Sequence, residues 1–294
     1  MPIILNKMAL TAQALVEDIG TLVSLPEVVL RISEMVNDDQ MGAADVDRVI
    51  GQDPGLAMRL LKIANSPMYG SMRQIDSISR AVAIIGTRQI RDIVISTTAA
   101  KVFEGIPNDL ISVADFWHHS LYCALLARAL AEQTKMANAD TLFTAGLLHD
   151  IGHLIMLNRI PQEELAAIML TVQGEASRDL IDAERELLGF DHTEVGAHLA
   201  REWHLPEVIV ECIAYHHQPA QAKDYGSAVA HIHIANAIAS LPYSDIPAAE
   251  DMQRIGPEAW DMAGLRPDDI GAAVQAVQAQ IGETQQALFG DALE

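Results

Sequence analysis

The chain has 294 residues, half of them apolar, which is enough to bury a substantial core in one large domain or two moderate ones. Its 40 acidic and 19 basic residues give a formal net charge of −21, which repels phosphate backbones and argues against a nucleic-acid partner. No uninterrupted apolar run of about 18 residues occurs, and no cleavage signature follows the amino terminus. We therefore expect a soluble cytoplasmic protein without a membrane partner.

Helical spacing of apolar residues dominates the chain, and alternating runs of β-branched residues bounded by hairpin turns are absent. We therefore predict an all-α fold. The capping residue Asp53 before Pro54 predicts a helix that runs to Ala64. A second helix is predicted over residues 77–85, with Gly86 ending it.

The histidines divide the chain into unequal parts. Residues 1–105 hold short amphipathic helices and none of the 11 histidines, and they are predicted to form an amino-terminal lobe. A boundary is predicted at residues 104–109, where glycine, proline and acidic residues interrupt the helical pattern. Residues 106–241 are predicted to form a histidine lobe, and residues 242–294 an extension whose last helix covers 267–289. We expect this extension to pack as an accessory.

His149 and Asp150 are the strongest candidates for a site, because two adjacent metal-binding side chains end the apolar helix predicted over residues 141–148. A carboxylate at the carboxyl end of a helix opposes the helix dipole. A divalent metal ion would remove that conflict and would accept a neutral imidazole as a ligand. The alternative is a structural pair, which would need other buried partners.

Further candidate ligands occur in separate, helix-like segments. Asp115 lies four residues before His119 and on the same helical face, although it could simply cap a polar helix start. His192 either belongs to a capping region or faces a site. The adjacent His216 and His217 end a helix, where they are either exposed or directed together into a site. One metal pocket could gather these segments.

Together these motifs resemble the HDOD family, a branch of the HD superfamily of metal-dependent phosphohydrolases. The resemblance covers about residues 22–241 and depends on motifs at residues 52–56, 60–67, 78–86, 116–120, 149–150, 189–196 and 216–219. It implies an amino-terminal helical lobe packed on a lobe with HD-type helices. It also implies one or two divalent transition-metal ions, of iron, manganese, nickel or zinc, with the aspartate of the His-Asp pair often bridging two ions. The ligands implied by the resemblance are His119, His149, Asp150, His192, His216 and His217.

Three departures from the family pattern bear on activity. Asn236 stands where HD enzymes usually place a last aspartate, so one metal position is expected to be weak or empty. His153 replaces the lysine common after the His-Asp core, and it could contact phosphate, bind metal or only pack. The run Gln218-Pro219-Ala220 replaces the Gly-Tyr-Pro motif of cyclic-dinucleotide phosphodiesterases, which disfavours cyclic-di-GMP hydrolysis.

Three functions remain open at this point. The first is a metal-dependent phosphohydrolase that acts on a phosphomonoester or phosphodiester in signal transduction. The second is a non-catalytic signalling or scaffold module with a structural or vestigial metal site and a signalling protein as its partner. The third is a di-iron redox enzyme, which would require iron that changes oxidation state.

Overall fold

The computed structural model describes residues 10–19, 27–36, 41–69, 74–103, 112–136, 139–174, 180–241, 247–253 and 255–290. Within these ranges the chain forms helices and turns and no β-strand, which confirms the all-α prediction. None of the described helices has the length and apolar character that crossing a membrane requires. The α-helices, in chain order, are α1 (Ala12–Ile19), α2 (Glu27–Met35), α3 (Ala43–Ile50), α4 (Pro54–Ala64), α5 (Ile78–Ile85), α6 (Thr87–Val102), α7 (Val113–Gln133), α8 (Ala139–Leu148), α9 (Ile151–Arg159), α10 (Gln162–Gly174), α11 (Leu180–Leu188), α12 (His192–Glu202), α13 (Glu207–Tyr215), α14 (Gly226–Ala239), α15 (Ala249–Gln253), α16 (Pro257–Ala263) and α17 (Ile270–Phe289).

The predicted helix boundaries in the amino-terminal lobe follow from local capping. Asp53 accepts a hydrogen bond from the Leu56 amide at 3.0 Å, and α4 begins at Pro54. This confirms the predicted start of the helix. At the end of α5, Gly86 has φ +97°, a backbone conformation that favours glycine and turns the chain directly into α6.

Helices α2 to α6 pack on one another and join the histidine lobe through α6 and α8. Asp92 of α6 accepts a hydrogen bond from Thr141 of α8 at 3.3 Å. Ser96 of α6 lies 3.4 Å from Thr144 of α8 through their hydroxyl oxygens. These contacts connect the lobe without histidines to the helix that carries the His149-Asp150 pair. The predicted boundary at residues 104–109 lies outside the described residues.

Helices α7 and α8 form the central pair of the histidine lobe, with α13 and α14 packed against them and α12 packed on α9 and α13. The first helix, α1, also packs on α9 and α12. Helix α17 lies against both α4 and α7, and Phe289 packs against Trp117 with ring centroids 5.5 Å apart. The extension therefore contributes to the common core and contacts helices on both sides of the predicted boundary.

Candidate metal centre

The turn between α8 and α9 places the His149-Asp150 pair at the centre of the histidine lobe. Asp150 occupies the position before α9, but its side chain makes no capping hydrogen bond with that helix. The carboxylate therefore points away from the α9 amides and into a group of imidazoles. His149 has no exposed surface, whereas the Asp150 side chain is 14% exposed.

One oxygen of Asp150 faces two histidines. His149 Nε2 lies 3.1 Å and His119 Nε2 lies 3.7 Å from Asp150 Oδ2. His119 comes from α7, so this group joins that helix to the turn after α8. We refer to Asp150 Oδ2 with His119 and His149 as the two-histidine position.

The other oxygen of Asp150 faces the imidazoles of α12 and of the chain just after α13. Asp150 Oδ1 lies 3.5 Å from His192 Nε2 and 3.3 Å from His216 Nε2. His217 Nε2 lies 3.2 Å from His192 Nε2. We refer to Asp150 Oδ1 with His192, His216 and His217 as the three-histidine position. All six predicted ligands therefore meet around one carboxylate.

Hydrogen bonds at Nδ1 fix how these imidazoles are oriented. His149 Nδ1 donates to the Gly146 carbonyl at 2.7 Å, and His216 Nδ1 donates to the Ile213 carbonyl at 2.9 Å. A neutral imidazole that donates from Nδ1 keeps a lone pair on Nε2, the atom that faces Asp150 in both residues. Outer hydrogen bonds of this kind are typical of metal-binding histidines.

Three buried atoms at the centre have no hydrogen-bond partner among the described residues: His149 Nε2, Asp150 Oδ1 and His216 Nε2. The contact between His149 Nε2 and Asp150 lacks hydrogen-bond geometry although the atoms lie close together. Unsatisfied buried polar atoms are costly, and the Nε2 lone pair of a neutral His216 is repelled by the carboxylate oxygen that it faces. Cations at the two positions would satisfy all three atoms.

The donor set fits a divalent transition metal. Imidazole nitrogen and carboxylate oxygen bind zinc at about 2.0 to 2.2 Å, and the separations of 3.1 to 3.7 Å around Asp150 leave room for an ion between the ligands. Five imidazoles and one carboxylate suit iron, manganese, nickel or zinc better than magnesium or calcium, which prefer oxygen. The two oxygens of Asp150 face different histidines, so this residue could contribute one ligand atom to each position.

Burial keeps most of the imidazoles in the neutral, metal-binding form. It lowers the pKa of His192, of His216 and of His217 below the ordinary value. Burial also opposes charge on His149, but the adjacent carboxylate outweighs it and raises the pKa of His149 well above 6.5. His149 in turn holds the pKa of Asp150 well below its ordinary value in spite of burial. The pair therefore retains a proton that a metal ion would displace.

The remaining predicted residues lie at the edge of the centre or away from it. Asn236 of α14 lies beside His119. Asp115 is exposed in the first turn of α7 and does not join the ligand group, because it lies one turn before His119 at the start of the helix. His118 Nδ1 lies 3.0 Å from Gln285 Oε1 of α17, so only one of the two adjacent histidines faces the centre.

Glu184 of α11 is a component that sequence reasoning missed. It is 2% exposed, and its Oε2 accepts a hydrogen bond from His192 Nδ1 at 2.7 Å. Its Oε1 lies 3.4 Å from His153 Nδ1, and His153 stacks on His192 with ring centroids 3.9 Å apart. One feature of the sequence could have indicated it. Glu184 lies three residues after the buried Ile181, and this spacing puts both side chains on the apolar face of an amphipathic helix.

Comparisons with known proteins identify the family and the fold of the chain. The model of the HDOD domain family matches residues 22–219. An uncharacterized protein of Treponema pallidum (strain Nichols) is 26% identical over 243 residues, which are 80% of this chain and 46% of that protein. The chain thus spans about half the length of this curated relative.

Two crystal structures have the same fold. An HDOD domain protein of unknown function from Geobacter sulfurreducens is 28% identical, with a TM-score of 0.71 over 94% of this chain and 97% of that one. A Shewanella amazonensis SB2B protein, provisionally named a phosphohydrolase, is 24% identical, with a TM-score of 0.73 over 93% and 97% of the two chains. With the family match covering most of its length, the chain belongs to the HDOD domain family.

Proposed function

We propose that this protein is a metal-dependent phosphohydrolase that acts on a phosphomonoester or phosphodiester in signal transduction. The observation that carries the proposal is the convergence of three buried atoms without hydrogen-bond partners among the described residues, His149 Nε2, His216 Nε2 and Asp150 Oδ1. The signalling context is what the sequence resemblance implies. The similarity to the provisionally named Shewanella phosphohydrolase supports the fold alone and not the chemistry.

The six ligands would hold one or two metal ions, and the ions would supply the positive charge and the Lewis acidity for attack of water on phosphorus. In that reaction a P–O bond forms to water, the ester P–O bond breaks, and the alcohol leaves with a proton. The protein contributes orientation: carbonyl groups hold His149 and His216, and Glu184 holds His192. An anionic substrate is compatible with the acidic chain, because metal charge dominates its own site.

We infer that a substrate would approach the centre where its side chains are partly exposed. The side chains of His119, Asp150 and His153 are 19%, 14% and 17% exposed, whereas His149 and His216 have no exposed surface. The partly exposed side chains therefore mark the face at which a phosphoryl group would meet the ions. In this proposal His153, which replaces the lysine of related sequences, would contact phosphate at this face.

Hydrolysis of p-nitrophenyl phosphate and bis(p-nitrophenyl) phosphate tests the proposal. Metal-free protein would be reconstituted with iron, manganese, nickel or zinc in turn, and His149→Ala and Asp150→Asn should abolish any turnover. His118→Ala is the matched control, because His118 is adjacent to a ligand but contacts Gln285 instead. Turnover that survives His149→Ala, or its absence with all four metals, would refute the proposal.

A second candidate is a non-catalytic module in which the metal has a structural role. The ligands come from α7, the turn after α8, α12 and the chain after α13, and an ion at the three-histidine position alone would connect three of these four segments. Binding energy from such an ion adds directly to folding stability. This candidate predicts a lower melting temperature after chelation together with no phosphoester turnover under any metal condition.

A further inference from the structure

We infer that the two metal positions are unequal, so that the three-histidine position holds a resident ion and the two-histidine position exchanges its ion with solution. The inference rests on the proposed function in one respect: hydrolysis would depend on free metal over the concentration range in which the two-histidine position fills. The metal supply would then regulate the same centre that carries out the reaction.

The first reason is the number of protein ligands. The three-histidine position offers three imidazoles and Asp150 Oδ1, whose ligand atoms all lie within 4.8 Å of one another. Four protein ligands complete a tetrahedral zinc site, whereas three leave an open position. The two-histidine position offers two imidazoles and Asp150 Oδ2. Even a four-coordinate ion there would therefore need one ligand beyond these three side chains.

The second reason is the support behind the ligands. In the three-histidine position, His192 Nδ1 donates to the buried carboxylate of Glu184 at 2.7 Å. In the two-histidine position, His119 Nδ1 contacts a neutral group, the Ala239 carbonyl, at 3.4 Å. A carboxylate behind a histidine fixes its orientation and raises its basicity, and loss of such a partner costs about 10- to 100-fold in metal affinity.

The third reason is Asn236. It lies beside His119, and we assign it to the two-histidine position. It is an uncharged amide, and it does not add to the negative charge that a divalent ion requires. The charge of this position therefore comes from Asp150 alone, which both ions would share.

Titration of metal-free protein with Zn²⁺ or Mn²⁺ by calorimetry, with the bound metal counted by equilibrium dialysis, tests the inference. We expect two classes of site that differ at least about tenfold in affinity. His119→Ala should remove only the weak class, and His192→Ala should remove the tight class. Asn236→Asp, which adds a carboxylate and keeps the side-chain shape, should tighten the weak class about tenfold. His118→Ala should leave both classes unchanged.

The outcomes separate this inference from the proposed function. Two sites of equal affinity, or loss of the tight class in His119→Ala, would overturn the inference whatever the activity. If Asn236→Asp left both classes as in the wild type, the assignment of Asn236 to the weak position would also be wrong. Two unequal classes without phosphoester turnover would refute the proposed function and leave the unequal positions standing.

Discussion

Gly152 sets the distance between the His149-Asp150 turn and His192. Helices α9 and α12 cross so closely that a Cβ atom on Gly152 would lie 1.9 Å from the His192 carbonyl oxygen and 2.8 Å from the Gly196 nitrogen. Backbone atoms form this contact, so no side chain can rotate away. Contacts shorter than 3.0 Å essentially never occur, and Gly152→Ala must therefore shift this contact by about 1.1 Å.

A shift of this size is incompatible with shared ligation. Metal–ligand distances in a fitted site vary by about 0.2 Å, so Asp150 and His192 could no longer bind the same ion. We predict that Gly152→Ala loses metal from the three-histidine position and is destabilised by about 1 to 3 kcal/mol through overpacking. Metal content after reconstitution and thermal unfolding of the metal-free protein measure the two effects separately.

Two other glycines provide controls for this prediction. Gly282 of α17 has open space where a Cβ atom would lie, so Gly282→Ala should keep the metal and gain up to about 1 kcal/mol from helix propensity. Gly196→Ala would bring Cβ to 2.8 Å from a side-chain methyl of Ile213, which can move, so its effect should be smaller than that of Gly152→Ala. Wild-type metal content and stability in Gly152→Ala would refute the reasoning.

Substitutions at three other residues test contacts elsewhere in the fold. Glu184→Gln removes the charge behind His192 and should weaken metal binding at the three-histidine position about 10- to 100-fold in equilibrium dialysis; unchanged affinity would show that the carboxylate has no such role. Burial raises the pKa of Asp92 from 3.8 to about 6 in spite of its ion pair with Arg91. The folded protein therefore favours the protonated acid. The resulting stabilisation is present below pH 4 and is lost as the pH rises through about 6. Because a pKa difference of one corresponds to about 1.4 kcal/mol, urea denaturation should show the unfolding free energy of Asp92→Asn rising by about 3 kcal/mol relative to wild type between pH 4 and pH 7; a constant difference would contradict this account. Asp53→Ala removes the cap of α4 and should cost about 1 kcal/mol, whereas Asp53→Asn should cost little; equal stabilities of the two variants would exclude a capping role.

Much of the fold was accessible from local sequence because helix boundaries depend on short-range chemistry. Asp53 caps the start of α4 and the glycine after α5 ends that helix, and each effect involves only a few neighbouring residues. Both predicted boundaries agree with the structure. The packing of α17 was less accessible. Its contacts with α4 and α7 depend on which faces meet after folding, so the extension was expected to be an accessory although it carries core residues such as Val274 and Phe289.

The candidate ligands had two sources: His149 and Asp150 stood out as adjacent polar residues at a helix end, where few packing uses exist, and the family resemblance implied the others. The structure brings all six candidates together. Glu184 was not predictable by the same reasoning, since a single acid in an amphipathic helix usually faces solvent. The sequence also could not predict that the two carboxylate oxygens of Asp150 face different histidines. That arrangement depends on how α9 and α12 cross at Gly152, which is a property of tertiary packing.

Elemental analysis tests the central claim most directly. Wild-type protein would be purified without added metal and without a metal-chelating column, in parallel with Asp150→Ala, and then reconstituted with iron, manganese, nickel or zinc. We predict at least one transition-metal ion per wild-type chain and its loss in Asp150→Ala, because both oxygens of Asp150 face the imidazoles. A wild-type protein that binds none of the four metals after reconstitution would contradict the account.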